Sequence, residues 1–370
     1  MENNQGSFTA TTIRKLRKNP LGILSFAVIT VAALVTVFAY FIATDKTKNA
    51  NRQDLTIAYA PMGYQQLTLE IPLENYTKSY SIHDLFFGKE IDSEQISIVS
   101  YSIDKQKVTY IPFLGEGLQG EKVEIPLDIW THHHIPINEI EKKYIFQKTY
   151  FLGTDSYGRD FFSRLVIGTR ISFLIGFVAV FISLVVGISL GALAGYYRGW
   201  LDNLIMWLIN VVWSIPTLLL VIAITLAIGK GFWQIFIAVG LTMWVEVARV
   251  VRGQFISFRE KEFVEAARAL GFSDYRIIFH QILPNVIAPV IVISAANFAS
   301  AILVESGLSF LGIGAQPPTP SWGNIIKEHY SHIILGKQHL AILPGLAIMF
   351  LVLGFNIFGN VLRDVMDIKD

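Results

Sequence analysis

Apolar residues in this chain come in long uninterrupted runs. Residues 21–43 read LGILSFAVITVAALVTVFAYFIA, without a charged side chain. About 20 mostly apolar residues cross the hydrocarbon core of a bilayer, so this run predicts a spanning helix. Five further runs, at about 171–197, 203–228, 232–250, 286–304 and 340–361, predict five more. Gly187, Gly191 and Gly195 recur at every fourth position of the second run and predict close helix packing. Pro216 interrupts the third run and predicts a kink there.

Residues 44–150 have another rhythm. The stretches LTIAYA, QQLTLEIPL, ISIVSYSI and KVTYIPF alternate with period two and are rich in β-branched and aromatic residues. They predict a small β-rich domain outside the membrane.

Composition sharpens this picture. The 370 residues are 52% hydrophobic and 16% charged, with a mean hydropathy of +0.48. Soluble domains average about a quarter charged. A net charge of +1 gives no bulk attraction for nucleic acid. The absence of cysteine excludes disulfides and thiolate chemistry. Arg14, Lys15, Arg17 and Lys18 precede the first run, which is too long for a signal peptide and lacks a clear small-x-small cleavage site; it reads as an uncleaved anchor.

Lysine and arginine bias sets the orientation. The basic N-terminus is expected in the cytoplasm, and six spans return the C-terminus, with Arg363 and Lys369, to the same side. The loop at 251–285 then lies inside, with Arg252, Arg259, Lys261, Arg268 and Arg276, and the loop at 305–339 outside, with Lys327 and Lys337. The expected fold is an all-α polytopic membrane protein with six transmembrane helices and both termini inside. A small β-rich extracytoplasmic insert lies between helices 1 and 2. The division is 1–43, cytoplasmic N-terminus and first helix; 44–150, the insert; and 151–370, the transmembrane domain.

One polar piece interrupts the apolar half: VEAARALGFSDYRIIFHQILPN, residues 264–285. Glu265 suits the first turns of a helix, and Phe263, Ala266, Ala267 and Leu270 fall on one face at helical spacing. Gly271 reads as the residue after the C-cap, Ser273 as the N-cap of a second helix, and Pro284 as its end. The unit is helix, glycine elbow, helix. Three readings compete: a DNA-binding helix-turn-helix, disfavoured by the flanking spans and the absence of a base-reading helix; an ordinary loop; and a docking element whose apolar face is held on the membrane domain.

Glu265, Ala266, Ala267, Gly271, Leu283 and Pro284 resemble the EAA loop of ABC importer permeases, within residues 253–285. Gln281 stands where the usual pattern has isoleucine, a departure that resembles the oligopeptide/dipeptide branch. LGTDSYGRD (152–160), GTRIS (168–172), GYYRGWLD (195–202), LSFLGIG (308–314), PPTPSWG (317–323) and Pro344 to Asp364 resemble further segments of that branch in the same order. The resemblance covers about 151–370 and the first span, not the insert. It implies a permease subunit that moves peptides by alternating access, paired with a second related permease, two cytoplasmic ATPases and an extracytoplasmic substrate-binding protein. Nickel chelates or a peptide antibiotic are the alternative cargoes. A non-transport membrane sensor is the rival from another class. The chain has no phosphate-binding G-x4-G-K-[ST] loop, so it is expected to bind no cofactor and to catalyse no reaction, with ATP and Mg used by the partner subunits.

Other candidates follow from charge within apolar surroundings. Glu305, Asn297 and Asn356 are candidate residues of the translocation path. Glu246, Arg249 and Arg252, three apart, form an ion-pair ladder, snorkel to the membrane interface, or contact the gate or neighbouring subunit. Asp155, Gly158, Arg159 and Asp160 form an outer-face motif read as a turn and helix cap, in which Arg159 opposes cation binding. His132, His133 and His134 read as a solvated loop, and no metal site is expected.

Overall fold

The computed structural model describes residues 14–76, 81–104, 106–229 and 232–366; Lys369 lies outside them. The first apolar run forms α1 (Pro20–Val37), started by the Asn19 side chain, which accepts from the Gly22 N–H at 3.1 Å. A break at Phe38 and one further turn, Ala39–Ile42, lead out of it. The later helices are α2 (Phe161–Tyr197), α3 (Gly199–Ser214), α4 (Thr217–Ile228), α5 (Phe232–Arg259), α6 (Glu262–Ala269), α7 (Leu283–Phe310), α8 (Trp322–His329) and α9 (His339–Met366).

Among the described residues, five helical segments are long and apolar enough to cross a membrane, or six if a bent pair counts as one span. That pair, α3 and α4, replaces the third predicted span and is bent by 96°. Pro216 has no N–H to donate, and Ile215 before it is extended at ψ 128°, so the helix stops rather than merely kinking.

The glycines of α2 set its pairing with α5. A Cβ at Gly187 would lie 2.5 Å from Val247 Cβ, one at Gly191 2.5 Å from the Ala248 carbonyl oxygen, and one at Gly195 2.6 Å from Phe255 Cβ. Both residue numbers rise together, so α2 and α5 run parallel. The bent α3–α4 pair therefore returns the chain to the end where α2 began. α1 and α9 run antiparallel: Gly22 meets Val361 and Gly354 meets Val28. Phe298 of α7 stacks on Phe355 of α9 with centroids 4.0 Å apart. The start of α1, the ends of α2, α5 and α9, and all of α6 thus share one end of the bundle.

Between α1 and α2 sits a six-stranded antiparallel sheet made of β1 (Tyr64–Pro72), β2 (Ser93–Ile103), β3 (Lys107–Gly115), β4 (Leu118–Gln119), β5 (Val123–Pro126) and β6 (Ile145–Tyr150). Its order is β4-β3-β2-β1-β6, with β5 paired to β3. Alternation places Leu69, Ile98 and Val108 on the face that buries Trp130, Ile135 and Ile140. The expected strand LTIAYA is instead a 3₁₀ turn, Leu55–Ile57, because Asp54 accepts from the Thr56 N–H at 3.0 Å. That local bond competes with strand pairing.

Candidate functional site

The 262–285 segment lies at the end of the bundle shared by both ends of the described chain. Glu262 and Glu265 lie in the first turn of α6 and Arg268 in its last, complementing the helix dipole. The helix closes with a Schellman motif: the Gly271 N–H donates to the Arg268 carbonyl at 2.9 Å and the Phe272 N–H to the Ala267 carbonyl at 3.1 Å. Gly271 has φ +77°, and a Cβ there would meet nothing within 4 Å. Glycine is needed at this position for backbone conformation rather than for space.

The buried face differs from the one expected. Val264 and Ala267 are the residues that turn inward, packing with Val251, Phe255, Ile277, Ile278 and Ile282. Phe263, Ala266 and Leu270 face outward, Leu270 being 74% exposed. The 3.6-residue period marks a face equally well whether it docks inward or outward. Val264, three residues before Ala267, belongs to the true inward stripe. Tyr275 and Phe279 extend the outward apolar surface.

Ser273 caps the next turn, accepting from the Arg276 N–H at 3.5 Å. Pro284 does not end the helix, as expected, but continues it. A π-helical turn, Ile277–Ile282, joins Asp274–Arg276 to α7, and Pro284 falls in the first turn of α7. The wider π turn relieves the clash between a proline ring and the carbonyl four residues earlier. Leu283 packs on the same core cluster as Val264.

The Tyr196 hydroxyl donates to Asp274 Oδ1 at 2.6 Å, tying the end of α2 to the segment. The guanidiniums of Arg259 and Arg268 lie 5.8 and 5.5 Å from the Tyr196 ring. Beside this segment a cavity of about 490 Å³ opens between α5, α7 and α9. Its polar lining is Gln254, Asn356, Asn360 and Arg363, set among Val250, Pro289, Val292 and Ile293.

Residues 187–369 match the family model of the binding-protein-dependent transport system inner membrane component. Residues 7–61 match the N-terminal TM domain of oligopeptide transport permease C. The glutathione transport system permease protein GsiD of Pectobacterium atrosepticum is 40% identical over 220 residues, 60% of this chain and 73% of that relative. The chain belongs to this inner-membrane permease family. The dipeptide transport system permease protein DppC of Alkalihalophilus pseudofirmus is 43% identical over 220 residues, 60% of the permease and 72% of that relative. Among solved structures, a chain of the inward-facing MetNI methionine ABC transporter aligns with 54% of the permease and 95% of its own length, at 19% identity and a TM-score of 0.46.

The permease distributes its other candidate residues differently from their sequence spacing. Asn356 lines the large cavity. Asn297 is buried, with its Nδ2 unpartnered. Glu305 is fully buried among hydroxyls: Ser309 donates to it at 2.7 Å and Ser172 of α2 at 3.3 Å. This knot joins α2 to α7. Glu246, Arg249 and Arg252 form no ladder. Arg252 makes a bidentate pair with Asp202 at 2.5 and 2.7 Å, Arg249 stacks on Trp213 at 3.7 Å, and Glu246 lines a separate cavity of about 180 Å³. The partners come from α3 and the α3–α4 bend, which spacing along α5 cannot reveal.

At the opposite end, Asp155 is wholly buried and accepts from Arg159 Nε at 2.6 Å and from the backbone N–H of Arg159 at 3.0 Å. Arg159 also reaches Glu328 at 2.6 Å, and Arg164 reaches the same carboxylate at 3.2 Å. Asp155, Glu328 and His329 converge as ligand-type groups, but the two guanidiniums already neutralise both carboxylates, a poor setting for a cation. Gly158 has φ +68°, and a Cβ there would lie 1.7 Å from the Asp54 carbonyl oxygen. Asp160 accepts from Ser163 at 2.5 Å and from Thr44, and burial holds its carboxyl above the usual range. His133 packs edge-on against Tyr76.

Sequence reasoning missed Gln254 and Asn360 in the cavity lining; amides within apolar spans were their available signal. It also missed Lys148, which lies on β6. Lys148 faces a polar cavity of about 200 Å³ shared with Arg52, Glu70 and Gln95. Its ammonium donates to Gln95 Oε1 at 2.9 Å, and burial pushes its pKa below the usual lysine range.

Proposed function

We propose that the permease is one half of the translocation pore of an ATP-driven importer of peptides, with both termini and the 262–285 segment in the cytoplasm and the sheet outside. The observation that carries this is the exposed apolar stripe Phe263–Ala266–Leu270 on a capped helix beside the 490 Å³ cavity. An exposed apolar stripe on a membrane protein's aqueous face fits a protein partner. The basic residues at that end, Arg198, Arg252, Arg259, Arg268 and Arg276, suit the cytoplasmic side. The partner is a pair of ATPase subunits that bind ATP and Mg, this chain binding neither. Glu265, Ala266, Ala267, Gly271, Leu283 and Pro284 couple their closure to the spans. A second related permease completes the path, and an extracytoplasmic binding protein delivers cargo.

Peptide cargo rests on the relatives named for dipeptide and glutathione transport. Asn356, Gln254 and Asn360 line the inward-opening half of the path. Co-purification with two ATPase subunits, together with ATP-dependent uptake of a labelled dipeptide into proteoliposomes, tests this reading. Uptake of nickel chelates alone would redirect the cargo. Purification without any ATPase would reject the importer.

A further inference from the structure

The sheet insert carries a short helix, Ile82–Phe87, with three exposed apolar side chains. Ile82 is 79% exposed and Phe87 53%, and Phe86 is exposed as well. The start of the helix is closed by a capping box between Ser81 and Asp84. The helix is fixed at a definite height on the bundle. The Arg170 guanidinium of α2 donates to the Phe86 carbonyl and lies 5.3 Å from the Phe87 ring and 5.2 Å from the Tyr40 ring. Phe41 meets Phe86 edge-on at 5.9 Å. At Gly88, with φ +79°, a Cβ would strike the Tyr40 ring at 2.5 Å, so the chain is pressed against the Ala39–Ile42 turn that follows α1.

Two helices independently give that height. At 1.5 Å per residue, α1 rises about 26 Å from Pro20 to Val37, with Phe41 in the short turn beyond the break at Phe38, and Arg170 stands about 40 Å above Tyr197 along the unbroken α2. A bilayer has a hydrocarbon core of about 30 Å, or about 40–45 Å with its headgroup layers. Both residues therefore fall at the outer boundary of the membrane. The exposed stripe is also continuous with Phe38 and Phe41, exposed aromatic residues just past α1. Aromatic side chains and an arginine at this level suit the lipid interface.

We propose that the Ile82–Phe87 helix is a lipid-bound foot that beds the insert in the outer-leaflet interface, with Ile82 and Phe87 in direct contact with lipid. The foot carries the insert as a second membrane attachment beside the spans. Its leaflet rests on the outward orientation given above.

The permease has no cysteine, so single-cysteine variants label cleanly. Nitroxide labels at Ile82→Cys, Phe87→Cys and the exposed sheet-loop control Glu116→Cys are placed in the full-length chain, assembled with its partners in lipid nanodiscs. Collision with oxygen and with a water-soluble nickel complex is then measured. The expected result is strong oxygen collision at both foot positions, with nickel collision several-fold below that of the Glu116→Cys label. Nickel collision equal to the control overturns the foot. Exclusion of both reagents also overturns it, because protein rather than lipid would then cover the helix. Ile82 is so exposed that its replacement tests contact without disturbing packing. Labelling of Glu116→Cys in intact cells by a membrane-impermeant maleimide checks the orientation separately. Failure to label would overturn the outer leaflet, while lipid contact would still be decided by the oxygen result.

Discussion

Tyr196, one residue from the end of α2, and Asp274, in the turn that leads into α7, are joined by a 2.6 Å hydrogen bond. The bond links a helix that runs from the sheet to the segment expected to grip the ATPase. Tyr196→Phe removes it while keeping the buried ring. Hydrogen bonds to charged groups are worth about 1.5–3 kcal/mol, and the exposure of Asp274 brings this one toward about 1 kcal/mol. The expected outcome is ATP hydrolysis within about twofold of wild type, with fewer peptides moved per ATP. The ratio of uptake to hydrolysis in proteoliposomes checks it.

Gly271→Ala places a side chain at φ +77°, costing about 1 kcal/mol in the left-handed region. Transport is expected to fall several-fold. Gly271→Pro forbids that φ and removes the N–H bonded to Arg268. It is expected to abolish uptake while leaving membrane insertion intact. Normal uptake by Gly271→Pro would sink the coupling role of the elbow.

Leu270→Asp changes a residue that is 74% exposed and so barely affects folding. It puts a charge into the stripe proposed to meet the ATPase. Recovery of ATPase subunits with the tagged permease is expected to drop at least tenfold, roughly the effect of losing 1.4 kcal/mol. Unchanged recovery would place the interface elsewhere.

Gly191→Val brings a branched side chain against the Ala248 carbonyl and Val251. Overpacking of this kind costs about 1–3 kcal/mol. The variant is expected to lower the thermal transition in detergent. Gly253→Ala, where an added Cβ meets nothing within 4 Å, is the matched control that leaves the transition in place.

Lys148→Met tests the burial of an ammonium. The folded pKa of Lys148 is depressed by desolvation. Folding therefore disfavours the charged form, and the penalty is fully present below the folded pKa. It disappears as pH rises past the unfolded value of about 10.4, where both states are neutral. The variant is expected to be more stable than wild type at pH 7, with a gain that shrinks toward pH 10 and above. Equal transitions at pH 7 would contradict this.

The long helices were legible because membrane spans depend on local composition alone. Three features were not. The break at Pro216 was visible, but its 96° size depends on how α3 and α4 pack. The inward face of α6 was misplaced because Phe263 and Leu270 look like core residues, and only the position of Val251 and Phe255 on α5 shows Val264 to be the buried one. The partners of Arg252 and Arg249 lie on α3 and at its end, and no spacing along α5 encodes them. Among the strands, QQLTLEIPL and KVTYIPF alternate as β1 and β3 do, whereas LTIAYA lost its strand to one aspartate side chain.

α2 contains no proline from Phe161 to Tyr197, and it is about 55 Å long. At one end it is pinned by the Arg164–Glu328 pair beside the buried Asp155–Arg159 turn, at the other by Tyr196 and Asp274. Along its inner half the glycine seam clamps it to α5. It therefore works as a stiff tie-rod. A tilt applied at its inner tip is carried to the far tip, where the chain leaves the sheet, instead of being absorbed by a bend along the way.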